Sequence, residues 1–148
     1  MGNPKDEKKK MDSCKKDLQG VVKKLSQKIR SERDEIQDLL DERATIEAKK
    51  EQTQEDKDRL KAINTRLEVL FKKIMTEATS STKQIDLMLK KQLPSDKNDL
   101  KAWQKGFVGG AVDLFKNDPG LKIGNQLFFG ADVQVIKKKI TLKLTYKF

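Results

Sequence analysis

The sequence predicts an α+β protein: a long antiparallel helical hairpin (coiled coil) followed by a small C-terminal module of one helix and three or four antiparallel strands. Apolar residues repeat about every 3.5 positions from residue 11 to residue 88, which is the coiled-coil period. After Pro94, short apolar runs alternate with glycine, proline and lysine, as in short strands. The predicted units are a disordered basic tail over residues 1–10, the hairpin over 11–92 and a basic module over 95–148.

A heptad pattern defines the helical region. Its d positions begin at Met11 and are mostly apolar, and apolar residues also occupy many a positions. A stripe this narrow predicts a seam that faces another helix, because a lone helix would have no surface to bury it against. We assign the interaction seam to Leu18, Leu25, Ile29, Ile36, Leu39, Leu60, Leu67, Phe71 and Ile74.

A turn is predicted in the middle of the heptad region. Between Ile46 and Leu60 only Ala48 is apolar, so nothing there needs burial. Thr53 and Asp56 resemble a capping box, which would begin a new helix. Apolar positions are mirrored about Thr53, and this symmetry favours two antiparallel arms joined by the turn.

A single helical rod that dimerises in parallel is the alternative to the hairpin. The unbroken heptad register supports the rod, and so does the lack of glycine or proline at the turn. However, a parallel dimer would place Arg43 and Lys50 against their own copies, where like charges repel. We therefore favour the hairpin.

The C-terminal module begins after Pro94, which ends the second arm. Its single helix is predicted to be anchored by Trp103, Phe107 and Phe115. Three glycines in that helix predict either a break near residue 109 or a close approach of another element, for which Gly106 and Gly110 have the right spacing. The predicted strands are Leu121 to Ile123, Gln126 to Phe129, Ala131 to Ile136 and Lys139 to Phe148.

The last predicted strand alternates between apolar and basic residues. Ile140, Leu142, Leu144 and Tyr146 should face a core. Lysines occupy the other face and the preceding turn, and they form a basic patch of Lys137, Lys138, Lys139, Lys143 and Lys147. Two interpretations stay open, namely the ordinary protection of an edge strand by lysine and the binding of an acidic partner or of nucleic-acid phosphates.

The composition argues against catalysis. The chain has no histidine, which removes the commonest general base and metal ligand. Acidic pairs such as Asp34 and Glu35 fall beside basic residues on helix surfaces, where they form solvated ion pairs. We therefore predict no catalytic residue, no metal site and no cofactor.

Charge and cysteine content bound the cellular context. The single cysteine, Cys14, excludes an internal disulfide, and no apolar run approaches the roughly 20 residues of a membrane span. These observations predict an intracellular, cytoplasmic protein without an integral membrane span. Thirty-three Lys and Arg against 23 Asp and Glu give a net charge of +10, which attracts acidic partners.

The function predicted from these features is non-enzymatic protein–protein interaction or assembly, as an adaptor or scaffold subunit. The coiled coil would bind a protein partner or form a homo-oligomer. One alternative is a nucleic-acid-associated basic protein that binds phosphates through its terminal lysines. The other is a peripheral membrane-associated protein, with the helix over residues 100–115 lying at the interface and lysines on anionic lipid.

Overall fold

Helices precede a small sheet along the chain. A computed structural model describes residues 4–147, and the predicted mixture of helix and sheet is confirmed. In chain order the elements are α1 (Pro4–Lys28), α2 (Arg30–Glu47), α3 (Gln54–Gln92), α4 (Lys97–Gly106), α5 (Val108–Lys116), a 3₁₀ helix (Pro119–Leu121), β1 (Leu127–Gln134) and β2 (Lys139–Tyr146).

Helices α1 and α2 form one arm with a local distortion at Ile29. Helical hydrogen bonding continues through this point, because the Ile29 N–H donates to the Leu25 carbonyl at 3.0 Å and the Arg33 N–H donates to the Ile29 carbonyl at 2.8 Å. Ile29 itself is fully buried. The arm therefore keeps both its helical hydrogen bonds and its buried apolar stripe across the distortion.

Helix α3 is the second arm and runs antiparallel to the first. Polar pairs join the two arms along their length, and the residue number rises in one arm as it falls in the other. The pairs are Asp17 with Gln92, Lys28 with Glu77, Glu35 with Arg66, Glu42 with Arg59, and Lys49 with Asp56. The chain reverses between these arms over residues 48–53.

The predicted capping box at the start of α3 is confirmed. Thr53 Oγ1 accepts a hydrogen bond from the Asp56 N–H at 3.1 Å, and Asp56 Oδ2 accepts one from the Thr53 N–H at 3.1 Å. These bonds satisfy backbone donors that have no partner within the first helical turn. The second arm therefore begins where its sequence signal lies.

The beginning of the chain differs from the predicted disordered tail. Residues 1–3 lie outside the described part, but residues 4–10 form the first turns of α1. Glu7 is only 5% exposed, and its Oε2 accepts a hydrogen bond from Trp103 Nε1 at 2.7 Å. The order of residues 4–10 could not be expected from their composition, which is rich in lysine and poor in apolar residues. It depends on the hydrogen bond between Glu7 and Trp103, which lie 96 positions apart.

The predicted single helix of the C-terminal module is divided into α4 and α5 at Phe107. An added Cβ at Gly106 would lie 3.0 Å from Met11 Sδ, and one at Gly110 would lie 3.0 Å from Lys15 Cε. Helix α1 therefore packs closely against both glycines. The break occurs two residues before the predicted position, and the close approach predicted from the glycine spacing is present as well.

The prediction of three or four strands is wrong, since the described residues contain two. Strands β1 and β2 are antiparallel, with Leu127 opposite Tyr146 and Gln134 opposite Lys139. Gly130 lies inside β1 opposite Lys143 and does not end a strand, so two predicted strands merge into one. The predicted strand over residues 121–123 is replaced by the 3₁₀ turn and a bridge from Ile123 to Leu127.

The sheet closes one end of a core shared with the helices. Strand β1 packs against α5, and β2 lies along α3. The inner face contributes the buried side chains of Leu127, Phe129, Val133 and Ile140, which belong to the same apolar cluster as the arms. The module therefore packs against the base of the two arms, as the small size of its own core requires.

Candidate functional site

The residues predicted as the interaction seam lie between the two arms of this chain. Eight are buried and Leu60 is half-buried. The predicted head anchors Trp103, Phe107 and Phe115 are also buried, with the Trp103 and Phe107 rings 5.3 Å apart. The structure thus brings both sets together in one interior.

The lysines of the predicted basic patch lie on the β1–β2 hairpin and just beyond it. Lys137, Lys139, Lys143 and Lys147 are exposed and Lys138 is half-buried. Lys139 and Lys143 share the outer face of β2, about 13 Å apart for four residues of strand. They form an accessible row of charge on the side of the sheet that faces away from the core.

The opposite face of β2 is less buried than its alternation predicts. Ile140 is buried, Leu142 and Leu144 are half-buried, and Tyr146 is 54% exposed. The Tyr146 ring stacks on Phe71 of α3, with ring centroids 4.2 Å apart and planes at 11°. Toward the end of β2, the apolar row therefore leaves the core and lies against the outside of α3.

An open groove lies around this aromatic stack. Its volume is about 670 Å³. Helix α3 contributes residues at helical spacings of three and four, and β2 contributes alternate residues of one face. We call this surface the α3–β2 groove, and it is lined by Glu68, Phe71, Lys72, Met75, Thr76, Leu144 and Tyr146.

Sequence reasoning missed the α3–β2 groove because it assigned Phe71 to the seam and Tyr146 to the core. Phe71 is 7% exposed and contributes to both the apolar cluster and the groove. One signal was present: Met75 is apolar but lies outside the a and d positions of the heptad. Its side chain is 37% exposed in the structure.

The turn that joins β1 to β2 also carries an exposed apolar side chain. We call Ile136, Lys137, Lys138 and Lys139 the hairpin tip. Ile136 is 78% exposed. Lys138 has a φ of +53°, and its N–H donates to the Val135 carbonyl at 3.2 Å. The hairpin tip therefore presents one isoleucine next to three lysines in a tight turn.

Three titratable side chains outside the groove, those of Cys14, Glu35 and Asp56, have pKa values shifted by burial or by hydrogen bonds. Burial, and secondarily the charge of Asp17, raises the pKa of the Cys14 thiol to about 11, so Cys14 stays protonated at neutral pH. A hydrogen bond from Arg66 lowers the pKa of the Glu35 carboxyl, and one from Lys49 lowers that of Asp56. Among residues 4–147, His, Cys, Asp and Glu form no cluster of three or more that could hold a metal ion.

Comparisons with known proteins returned no matching family model, no matching curated protein and no matching solved structure. Within the described part of the chain, every helix is too short or too polar to cross a membrane. The function is therefore inferred from the surfaces that this chain presents.

Proposed function

We propose that this chain is a non-enzymatic protein–protein interaction module, of the adaptor or scaffold kind, whose α3–β2 groove binds an apolar segment of a partner protein. The observation that supports this most directly is an open groove that brings aromatic and methionine side chains together at the surface. A sequence without histidine fits a binding protein better than an enzyme. A single cysteine fits a reducing, intracellular compartment.

The two arms provide the rigid support. We infer that they pack as an antiparallel coiled coil, because most of the apolar a and d residues of both arms are buried and ion pairs join the arms beside them. Arg66 contacts both carboxylate oxygens of Glu35, at 2.5 and 2.9 Å. Because the apolar seam is buried within one chain, the molecule would bind its partner through another surface.

The α3–β2 groove has the composition of a small binding site. Its centre is formed by the Phe71–Tyr146 stack and Met75, while Glu68 and Lys72 form a polar rim. Aromatic residues and methionine are enriched at the centres of protein interfaces, and methionine adapts its shape to different partners. The exposed lysines on the outer face of β2 favour a partner segment that carries acidic residues beside its apolar anchor.

Site-specific photocrosslinking tests this proposal in cells. A benzoylphenylalanine at position 146 should capture a defined partner, whereas one at position 69 should not, because Val69 is 40% exposed but lies outside the groove. The captured protein is then purified and titrated against wild-type protein and two variants.

Met75→Glu should raise the Kd roughly 30-fold, the effect of losing an interface residue worth about 2 kcal/mol. Val69→Glu carries the same charge change at a similarly exposed position and should leave the Kd within about threefold. Equal effects of the two variants would show that the groove does not bind the partner.

A further inference from the structure

The hairpin tip combines features that its role as a turn does not require. Ile136 is the most exposed large apolar side chain among residues 4–147. A single exposed apolar residue is ordinary in itself. Here, however, it is followed directly by three lysines at the end of the hairpin, of which Lys137 and Lys139 are exposed and Lys138 is half-buried.

Lys138 strengthens this observation through its backbone. Its φ of +53° lies in the left-handed region, which glycine or asparagine adopts at lower cost than lysine. A lysine at the position where a turn prefers glycine keeps the positive charge at the expense of local conformational stability. Such an outlier is a reason to look for a ligand of the turn.

Helix α4 adds a second row of lysines beside the hairpin tip. Gln104 lines the same 420 Å³ depression as Ile136 and Lys137, so this face of α4 borders the turn. Lys97, Lys101 and Lys105 are exposed and repeat every four residues on the side of α4 that carries Gln104.

Three lysines of the hairpin tip therefore adjoin the exposed Ile136, and three more lie on the face of α4 that carries Gln104. The described residues that line the depression include a single acidic side chain, that of Asp132. The lining also includes one lysine, Lys137, so the excess of positive charge comes from the lysines of the hairpin tip and of α4 that lie outside it. Asp86 is also close to this end of the hairpin, where its carboxylate accepts the Ile140 N–H at 2.9 Å.

An anionic membrane surface fits this arrangement better than a nucleic acid does. Neither the hairpin tip nor the flanking face of α4 carries arginine or an exposed aromatic ring, the groups that read and stack bases. A projecting isoleucine has no use in phosphate binding, but it can enter the apolar layer below lipid headgroups while lysines contact their phosphates.

The membrane contact predicted from the sequence, in which the helix over residues 100–115 lies at the interface, would need that helix to expose its large apolar side chains. Trp103, Phe107 and Phe115 are buried and cannot reach lipid. We propose instead that the hairpin tip and the lysine face of α4 bind an anionic membrane, with Ile136 inserted between headgroups. This surface is separate from the α3–β2 groove and does not depend on it.

Vesicle flotation with the full chain tests the proposal. Vesicles contain either phosphatidylcholine alone or 30% phosphatidylserine, in 100 mM salt. Wild-type protein should float only with the anionic vesicles. Lys137→Gln with Lys139→Gln should lower the partition coefficient roughly 30-fold, from about fivefold per lysine near an anionic surface. Ile136→Ser should lower it about tenfold through the loss of apolar contact.

Matched controls separate the hairpin tip from net charge and from general stickiness. Lys57→Gln with Lys61→Gln removes the same charge at the exposed start of α3 and should change binding less than threefold. Val69→Ser removes an exposed apolar side chain elsewhere on α3 and should have no effect. Circular dichroism should show that all four variants keep the helical content of the wild type.

Several results would overturn the proposal. Wild-type protein that does not float with anionic vesicles would refute it outright. Equal losses in the two lysine pairs would mean that net charge alone drives adsorption, and full binding by Ile136→Ser would exclude insertion. Retention of single-stranded RNA on a filter without flotation on anionic vesicles would assign the lysines to nucleic acid.

Discussion

Replacing Glu7 with alanine should destabilise the whole fold. Trp103 is fully buried, and the Glu7 carboxylate accepts its indole N–H at 2.7 Å. Lys10 lies 3.5 Å from the other carboxylate oxygen. Without Glu7 the indole donor stays buried and unpaired, which costs about 1–3 kcal/mol. We expect a loss of about 2 kcal/mol of unfolding free energy, equivalent to a Tm about 4–8 °C lower for a chain of this size.

Urea unfolding measures this effect directly, because Trp103 is the only tryptophan and its fluorescence reports on the contact itself. The matched control is Glu7→Gln. Its amide oxygen can still accept the indole hydrogen bond, so it should lose about 1 kcal/mol or less, the difference between a charge-assisted and a neutral bond. The dependence of the unfolding free energy on urea should have the same slope in all three proteins.

An unchanged unfolding midpoint in Glu7→Ala would refute this reasoning. A substitution in a disordered tail is expected to change the unfolding free energy by no more than about 0.5 kcal/mol. That result would mean that residues 4–10 are a disordered tail, as their composition predicts. Equal destabilisation by Glu7→Ala and Glu7→Gln would show instead that the charge, and not the acceptor, stabilises this end of α1.

Three further predictions concern the arms. Thr53→Ala should lower the unfolding free energy by about 1 kcal/mol in urea, whereas Thr53→Ser, which keeps the capping oxygen, should lower it much less. Ile74→Ala should lower the unfolding free energy by about 2–5 kcal/mol, because Ile74 is fully buried between the arms. The mass by light scattering should stay at the monomer value of 17.0 kDa, whereas a wild-type dimer would support the parallel rod. Burial raises the pKa of the Cys14 thiol from its ordinary value of 9.0 to about 11 in the folded chain. The stability that the buried, protonated thiol contributes is therefore complete below pH 9 and is lost as the pH rises toward 11. Unfolding at pH 8 and pH 10 should therefore differ more in wild-type protein than in Cys14→Ala, and equal differences would contradict the assigned burial.

Local signals made parts of the fold predictable. The capping residues Thr53 and Asp56 act through bonds between neighbours, so their sequence spacing is sufficient to identify them. The spacing of Gly106 and Gly110 likewise indicated a close approach, although it could not identify α1 as the element that approaches.

Features that depend on distant residues could not be predicted. Gly130 was predicted to end a strand, because glycine often interrupts strands. In the antiparallel ladder it instead has an extended conformation and pairs with Lys143. The order of residues 4–10 depends on Trp103, and the α3–β2 groove depends on where β2 lies along α3. The sequence offered only Met75, outside the a and d positions, as a signal for the groove, and it could not show that β2 lies beside it.

The antiparallel layout of the arms has a consequence for the order in which the chain folds. The cross-arm pairs join residues that are 7 positions apart at the Lys49–Asp56 end and 75 apart at the Asp17–Gln92 end. Because loop-closure entropy grows with loop length, contacts next to the turn form at the lowest cost. We therefore expect the arms to zip from the turn at Thr53 outward, and the Glu7–Trp103 contact, across 96 positions, to close among the last.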